Sequence, residues 1–200
     1  MLKNLSYKYY HKLNNETVYL VLHGGGPEGI ETDFISKIIN SIATTKNSVI
    51  GINFPYCERG QEESSGKELL EETKALNDTI KFLESEGYKK IVIVTKSLGA
   101  IVASYWLDEY KPNAPNMEVV ILGYVIGAVK TEQLNGHLKL VIQGENDRFG
   151  NSDVVNKELS KYKISAKVVE VPSADHSYRN ERKEPVYQSA AIELMIKELL

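Results

Sequence analysis

Short apolar segments alternate with amphipathic segments along almost the whole chain, and this alternation constrains the fold more than any other feature. The apolar segments are runs of branched residues, such as residues 91–95 (IVIVT). The others carry one apolar stripe, as over residues 30–43, where Phe34, Ile38 and Ile42 recur at helical spacing. Apolar strands separated by helices form mostly parallel sheets with helices on both faces. The pattern predicts a three-layer α/β fold in a single domain, residues 1–200.

The order of the predicted elements follows from the same patterns and from turn and cap residues. Ser65 and Glu68 have the spacing of a capping box and predict the start of a helix that Gly87 ends. An edge strand is expected at residues 5–10. The other predicted strands are 17–22, 48–53, 91–95, 119–125, 138–142 and 167–171, and the other predicted helices are 30–43, 101–109, 152–162 and 186–200.

A serine stands in the sharp turn between the strand at residues 91–95 and the next helix. The segment around Ser97 (TKSLGA, residues 95–100) has the layout of a nucleophile elbow, whose usual pattern is Gly-x-Ser-x-Gly. Thr95 departs from the first glycine, whereas Gly99 fits the second. Such a serine is exposed at the sheet edge and predicts acyl transfer through a serine ester. The alternative interpretation is that Ser97 only caps the following helix.

A glycine run follows the apolar strand at residues 17–22, beginning at His23 (HGGGP). Glycines directly after a strand let backbone N–H groups approach a ligand oxygen closely. The N–H of Gly25 or of Gly26, together with that of Leu98, is therefore a candidate oxyanion hole. The alternatives are a phosphate-binding loop or a plain turn. The run lacks both the Lys-Ser/Thr ending of a P-loop and the glycine spacing of a dinucleotide site.

An acid and a base follow two later strands. Asp147 comes shortly after the strand at residues 138–142, and His176 after the strand at residues 167–171. Open α/β sheets bind their ligands at the carboxyl ends of the strands, so both side chains are expected near Ser97. The chain order serine, aspartate, histidine is that of the α/β-hydrolases.

The chain therefore resembles small α/β-hydrolases, close to the dienelactone-hydrolase-like group and its serine-bearing relatives. The resemblance implies an α/β-hydrolase fold with Ser97 as nucleophile, Asp147 as the acid that orients the histidine and His176 as the base. Dienelactone hydrolases carry cysteine at the nucleophile position, so their substrate is not transferred to this chain. The motifs that carry the resemblance are residues 23–26 (HGGG), 53–56 (NFPY), 96–99 (KSLG), 143–150 (QGENDRFG) and 174–177 (ADHS).

Only residues 126–137 connect two of the strands in the region where many α/β-hydrolases insert a helical cap. No cap domain is expected, and the site should be open and formed by loops. Phe54, Tyr56 and Cys57 follow the strand at residues 48–53 and are the candidate substrate-binding walls. Packing beneath that loop is their alternative role. Lys96 either touches substrate or packs away from the serine beneath the elbow.

Other acids and histidines have simpler roles. Asp153 lies where a helix begins and suits its dipole, while Asp175 neighbours His176 but points away in extended backbone. Glu145 is a further rival acid. His23 is expected to hold the glycine run by hydrogen bonds. His11 and His137 lack companions at metal-ligand spacing, so neither a metal nor another cofactor is expected.

Composition limits the partners. The 200 residues carry a net charge of −3 with no basic block, which disfavours nucleic acid and anionic membrane as partners. Cys57 is the single cysteine, so no intrachain disulfide is possible. The first residues lack the apolar core of a signal peptide, and no segment has the length of a membrane span. A cytoplasmic protein acting on a small acyl substrate is expected.

Two interpretations of function follow. The first is a serine hydrolase that cleaves a carboxylic ester or thioester of a small substrate. The second is a catalytically silent α/β-hydrolase domain that serves as a binding or scaffold module, since a fold does not guarantee an activity. The complete serine, aspartate and histidine set favours the first, because a scaffold has no need of all three groups.

Overall fold

The computed structural model describes residues 5–110 and 116–199. Its centre is a seven-stranded sheet in the order β1-β3-β2-β4-β5-β6-β7. The edge strand β1 runs antiparallel to β3, and the other pairs are parallel. The strands are β1 (Tyr7–Tyr10), β2 (Thr17–Leu22), β3 (Ser48–Ile52), β4 (Lys90–Lys96), β5 (Met117–Leu122), β6 (Leu138–Gly144) and β7 (Lys167–Val171).

Helices cover both faces of this sheet, as the sequence pattern predicts. Helices α1 and α6 pack on one face, and α3, α4 and α5 on the other. The helices are α1 (Asp33–Ala43), α2 (Pro55–Glu58), α3 (Leu70–Ser85), α4 (Leu98–Tyr110), α5 (Ser152–Lys161) and α6 (Gln188–Leu199), with short 3-10 turns at Gly29–Glu31 and Thr131–Leu134.

Alternation of side chains along each strand divides the core in two. In β2, Val18, Leu20 and Leu22 join the core beneath α3 and α4, whereas Tyr19 and Val21 join the core beneath α1 and α6. Both sets are buried, which explains why the strand reads as a continuous apolar run. The predicted mostly parallel sheet with two covered faces is thereby confirmed.

One predicted helix start is wrong. Helix α3 begins at Leu70, after Leu69 in left-handed conformation (φ +52°). Ser65 does not cap the helix with Glu68 as a partner. Its backbone N–H and hydroxyl instead donate to the buried carboxylate of Glu72, which anchors the preceding loop to the first turn of the helix.

The strand order creates the position for a site. The chain leaves β2 to form β3 on one side and returns to form β4 on the other side. The loops that follow β2 and β4 therefore diverge, and a crevice opens at their carboxyl ends. The connection between β5 and β6 holds only the turn at Thr131–Leu134, and no helical cap covers the crevice among the residues described. Within those same ranges, no helix is both long and apolar enough to cross a bilayer.

Candidate active site

Ser97 lies at the junction of β4 and α4 in left-handed backbone conformation, with φ +49°. This conformation costs a non-glycine residue about 1–2 kcal/mol, and it persists where the surrounding structure fixes it. Here the N–H of Ser97 donates to the carbonyl of Leu122 at 3.2 Å, so the turn is tied to the end of β5. The strained turn projects the hydroxyl away from the sheet edge.

The residues around the turn fit the close approach of α4 to the sheet. A Cβ on Gly99 would lie 2.8 Å from the carbonyl oxygen of Leu22, so a larger residue would push the helix away from β2. Thr95, which replaces the usual first glycine, is accommodated because its hydroxyl donates to the carbonyl of Val120 at 2.9 Å. The departure from the usual pattern is thus compatible with the elbow conformation.

The structure brings Ser97, His176 and Asp147 into one hydrogen-bonded chain. His176 Nε2 lies 2.8 Å from Ser97 Oγ, and His176 Nδ1 lies 2.7 Å from Asp147 Oδ2. Asp147 follows β6, and His176 lies in the loop between β7 and α6. A carboxylate only accepts hydrogen bonds, so Nδ1 carries the imidazole proton and Nε2 is left free to accept one.

The carboxylate of Asp147 is buried and held by two further donors. Gln143 Nε2 donates to Oδ2 at 2.9 Å, and the backbone N–H of Phe149 donates to Oδ1 at 2.8 Å. These bonds fix the carboxylate, which in turn orients the ring of His176. Gln143 was not predicted from the sequence, although its position four residues before Asp147, at the end of a buried strand, is a usable signal.

Close backbone packing lets the acid and the base meet. A Cβ on Gly144 would lie 2.5 Å from the carbonyl oxygen of Ala174 and 2.6 Å from that of Asp175. The absence of a side chain at Gly144 therefore allows the loop after β7 to pack directly against the end of β6. This packing sets the distance between Asp147 and His176.

Burial lowers the pKa of His176, because an imidazolium is poorly solvated there. The hydrogen bond to Asp147 opposes this effect, and the charges of Lys96 and Arg148 add to it. His176 is therefore neutral at physiological pH. A neutral ring is the form that can accept a proton from Ser97.

The other acids near His176 are engaged elsewhere. Asp175 accepts hydrogen bonds from the backbone of Ser177 and Arg179, which shapes the loop. Glu145 accepts from the backbone N–H of Ser173 at 2.7 Å. Asp153 lies in the first turn of α5. Asp147 is thus the acid that the described contacts join to the imidazole.

His23 holds the glycine run to the neighbouring loop, as expected. Its Nδ1 donates to the carbonyl of Gly24 at 2.6 Å, and its Nε2 accepts from the backbone N–H of Phe54 at 3.0 Å. Burial lowers the pKa of this ring to about 4, although the bond to Gly24 opposes the shift. The histidine is therefore a neutral structural link between the loops after β2 and β3.

Hydrogen bonds from Tyr56 orient the backbone N–H of Gly25. Tyr56 Oη donates to the carbonyl of Gly24 at 3.3 Å and to that of Gly26 at 3.2 Å, so both carbonyls face the protein interior. The peptide bonds are trans. In a trans peptide the N–H points opposite to the carbonyl of the preceding residue, so the N–H of Gly25 is directed away from Tyr56.

The prediction that Phe54, Tyr56 and Cys57 form substrate-binding walls is wrong. Phe54 and Tyr56 are fully buried and pack around His23, with ring centroids 4.5 Å and 6.0 Å from the imidazole. Cys57 is partly buried and directs its thiol to the carbonyl of Gly26 at 3.5 Å. These side chains support the glycine run from below, because the loop after β3 packs under it.

Two cavities meet at Ser97, and Gly25 and Phe149 line both of them. The first has a volume of about 330 Å³ and the second about 610 Å³. The other lining residues include Thr32, Phe34, Ile35, Lys96, Arg148, His176, Arg179 and Gln188 in the first cavity, and Glu62, Glu63, Lys67, Leu98, Ile101 and Val125 in the second.

Two residues of this wall, Arg148 and Phe149, were not predicted from the sequence. Phe149 packs edge-on against the ring of His176 with centroids 4.7 Å apart, and Arg148 lies over the ring of Phe149. Their place directly after Asp147 was the sequence signal that could have identified them.

Lys96, for which two roles were open, does not pack away beneath the elbow. Its Nζ lies 3.3 Å from His176 Nε2.

A family model described as an alpha/beta hydrolase domain matches residues 15–200. Similar solved structures include an alpha-beta serine hydrolase homologue from Coxiella burnetii, with a TM-score of 0.76 and 13% identity over 98% of this chain and 92% of that chain. A serine hydrolase without lid from Xanthomonas campestris has a TM-score of 0.70 and 14% identity over 98% and 89%. A dienelactone hydrolase from Anabaena variabilis has a TM-score of 0.71 and 15% identity over 97% and 90%. No curated protein matches the chain.

Proposed function

The chain belongs to the α/β-hydrolase family and is a hydrolase, and on this premise we propose that it cleaves a carboxylic ester or thioester of a small substrate through an acyl-enzyme on Ser97. The observation that carries the proposal is the continuous path Asp147–His176–Ser97, with contacts of 2.7 Å and 2.8 Å. In this path the nucleophile, base and orienting acid have the geometry that serine catalysis requires.

In the first step, Ser97 Oγ attacks the substrate carbonyl carbon while His176 Nε2 takes the hydroxyl proton. Asp147 accepts from Nδ1 throughout and stabilises the imidazolium that forms. Collapse of the tetrahedral intermediate breaks the bond to the leaving group, which receives the proton from Nε2. In the second step, water attacks the acyl-enzyme with His176 again as base, and Ser97 is released with its proton restored.

Two backbone N–H groups are proposed to hold the oxyanion. Leu98 is the first residue of α4, so its N–H has no intrahelical partner. Gly25 supplies the second donor, because its N–H points away from Tyr56 and it lines both cavities at Ser97. Gly26 remains the alternative donor, but it lines neither of these cavities. Loss of one such donor costs about 3 kcal/mol of barrier.

The cavities limit the size of the substrate. Since the two cavities meet at Ser97, one is suited to the acyl group and the other to the leaving group. Their volumes, about 330 Å³ and 610 Å³, lie in the range of small-molecule sites. Loops and the first turns of α1, α4 and α6 bound the two cavities, and the described residues add no cap above them, which favours small or extended acyl donors over long lipid chains.

The proposal is tested with p-nitrophenyl acetate and the variant Ser97→Ala. Removal of the nucleophile should reduce turnover to the background rate, a loss on the order of 10⁶-fold in kcat for enzymes of this mechanism. Ser160→Ala, which changes an exposed serine on α5, is the matched control and should keep wild-type activity. Unchanged turnover in folded Ser97→Ala protein would exclude Ser97 as the nucleophile.

A further inference from the structure

The amino group of Lys96 contacts the proton-accepting nitrogen of His176, and the mechanism above does not use this contact. Lys96 is the last residue of β4, and its side chain is only 8% exposed. Its Nζ lies 3.3 Å from His176 Nε2. The charges of Asp147 and Asp175 act on this amine, but Asp147 is hydrogen-bonded to His176 and Asp175 forms its ion pair with Lys183. A buried cation therefore lies beside the base.

The fold makes room for this contact at Gly123, which follows β5 with φ +76°. A Cβ at this position would lie 2.8 Å from Lys96 Nζ and 3.0 Å from His176 Cε1. Any side chain there would displace the amine or the imidazole. The ring of Tyr178 packs near the same amine, with its centroid 5.8 Å from Nζ. Backbone and packing together thus hold the amine against the base.

Two donors face a single acceptor at His176 Nε2. With its proton on Nδ1, the neutral imidazole has one lone pair at Nε2. Ser97 Oγ lies 2.8 Å from this nitrogen and Lys96 Nζ lies 3.3 Å from it. A hydrogen bond from one donor excludes an equally good bond from the other.

We propose that Lys96 is a positioning residue for the proposed hydrolysis, on which this inference rests: its ammonium group competes with Ser97 for His176 Nε2, and its positive charge opposes protonation of that nitrogen. When the amine loses its proton, the repulsion of the imidazolium disappears. The enzyme therefore has a slower form with Lys96 charged and a faster form with Lys96 neutral.

The groups around Lys96 set the pH at which its amine loses the proton. Burial lowers the pKa of Lys96 to about 8, while the charges of Asp147 and Asp175 oppose the shift. Arg148 faces His176 and adds to the lowering of its pKa. Burial raises the pKa of Tyr178 well above its usual value, so that group stays neutral. Among these facing groups, Lys96 is the one expected to titrate near pH 8.

The test is the pH dependence of kcat/KM from about pH 5 to about pH 10 for the wild type, Lys96→Met and Lys96→Arg. The wild type should show an acid limb and a second rise centred near pH 8. Lys96→Arg keeps the charge and cannot lose it, so its acid limb should match the wild type without the second rise. Lys96→Met removes the charge, so its acid limb should move to higher pH, again without the second rise.

A second readout does not need turnover. Imidazole NMR titration should give a higher pKa for His176 in Lys96→Met than in the wild type, and a wild-type value in Lys96→Arg. The same His176 titration in all three proteins, or a second rise that persists in Lys96→Arg, would overturn the role of Lys96. If Lys96→Met fails to fold, the comparison of Lys96→Arg with the wild type still decides whether Lys96 causes the second rise. Full activity of Ser97→Ala would instead overturn the hydrolase mechanism, leaving the NMR comparison interpretable.

Discussion

The buried ring of His23 makes the stability of this protein depend on pH in a way that can be worked out from its contacts. The side chain is 1% exposed, and both ring nitrogens are used, one as donor to Gly24 and one as acceptor from Phe54. A second proton on the ring would break the bond from Phe54 and leave a charge in the core. For this reason burial lowers the pKa from 6.5 to about 4.

The size of this stability change follows from the difference between the pKa of His23 in the folded and in the unfolded protein. In the unfolded chain His23 binds its second proton near pH 6.5, and in the folded protein only near pH 4. The unfolded state therefore binds more protons between these values, so stability is complete above pH 6.5 and falls as the pH drops toward 4. The difference of 2.5 pKa units corresponds to about 3 kcal/mol of unfolding free energy.

Urea unfolding at a series of pH values measures this loss. Trp106 is the single tryptophan and is 2% exposed, so its fluorescence reports unfolding. His23→Gln cannot take the proton, and its stability should fall by about 3 kcal/mol less than that of the wild type over the same range. The titration of His176 changes the unfolding free energy equally in both proteins, so it cancels in the difference between them. Parallel curves for the two proteins would refute the assignment of a buried, neutral His23.

Two further predictions concern the loop contacts that align the base. Asp147→Asn should lower kcat by about 10⁴-fold, because an amide no longer holds His176 in the required tautomer. Stopped-flow or steady-state turnover of an activated ester measures kcat, and a loss of less than tenfold would contradict the prediction. Gly144→Ala should lower the unfolding free energy by about 1–3 kcal/mol and reduce kcat, because the new Cβ would meet the carbonyl oxygens of Ala174 and Asp175. Urea denaturation and ester turnover measure these effects, and values that both match the wild type would contradict the prediction.

The sheet and the meeting of its functional side chains were predictable because they depend on regular features of the sequence. Apolar runs with helical segments between them identify the parallel strands, and the carboxyl ends of parallel strands lie at one edge. Ser97, Asp147 and His176 each follow such a strand, so their proximity could be inferred without knowing any loop conformation.

The side chains whose positions depend on loop packing were not predictable. Phe54 and Tyr56 look like wall residues in sequence, yet they are buried because the loop after β3 packs beneath the glycine run, where the hydroxyl of Tyr56 donates to the carbonyls of Gly24 and Gly26. The direction of Lys96 depends on the space left at Gly123, a residue that follows a different strand, β5. Such contacts join segments far apart in the chain and leave no local pattern.

In the proposed mechanism Ser97 is a nucleophile activated by His176. Incubation with a fluorophosphonate probe followed by mass spectrometry of the peptides tests it most directly, since the probe reacts with an activated serine hydroxyl. One adduct is expected on Ser97 in the wild type, none in Ser97→Ala and strongly slowed labelling in His176→Ala. Folded wild-type protein that stays unlabelled, or that carries the adduct on another residue, would contradict it.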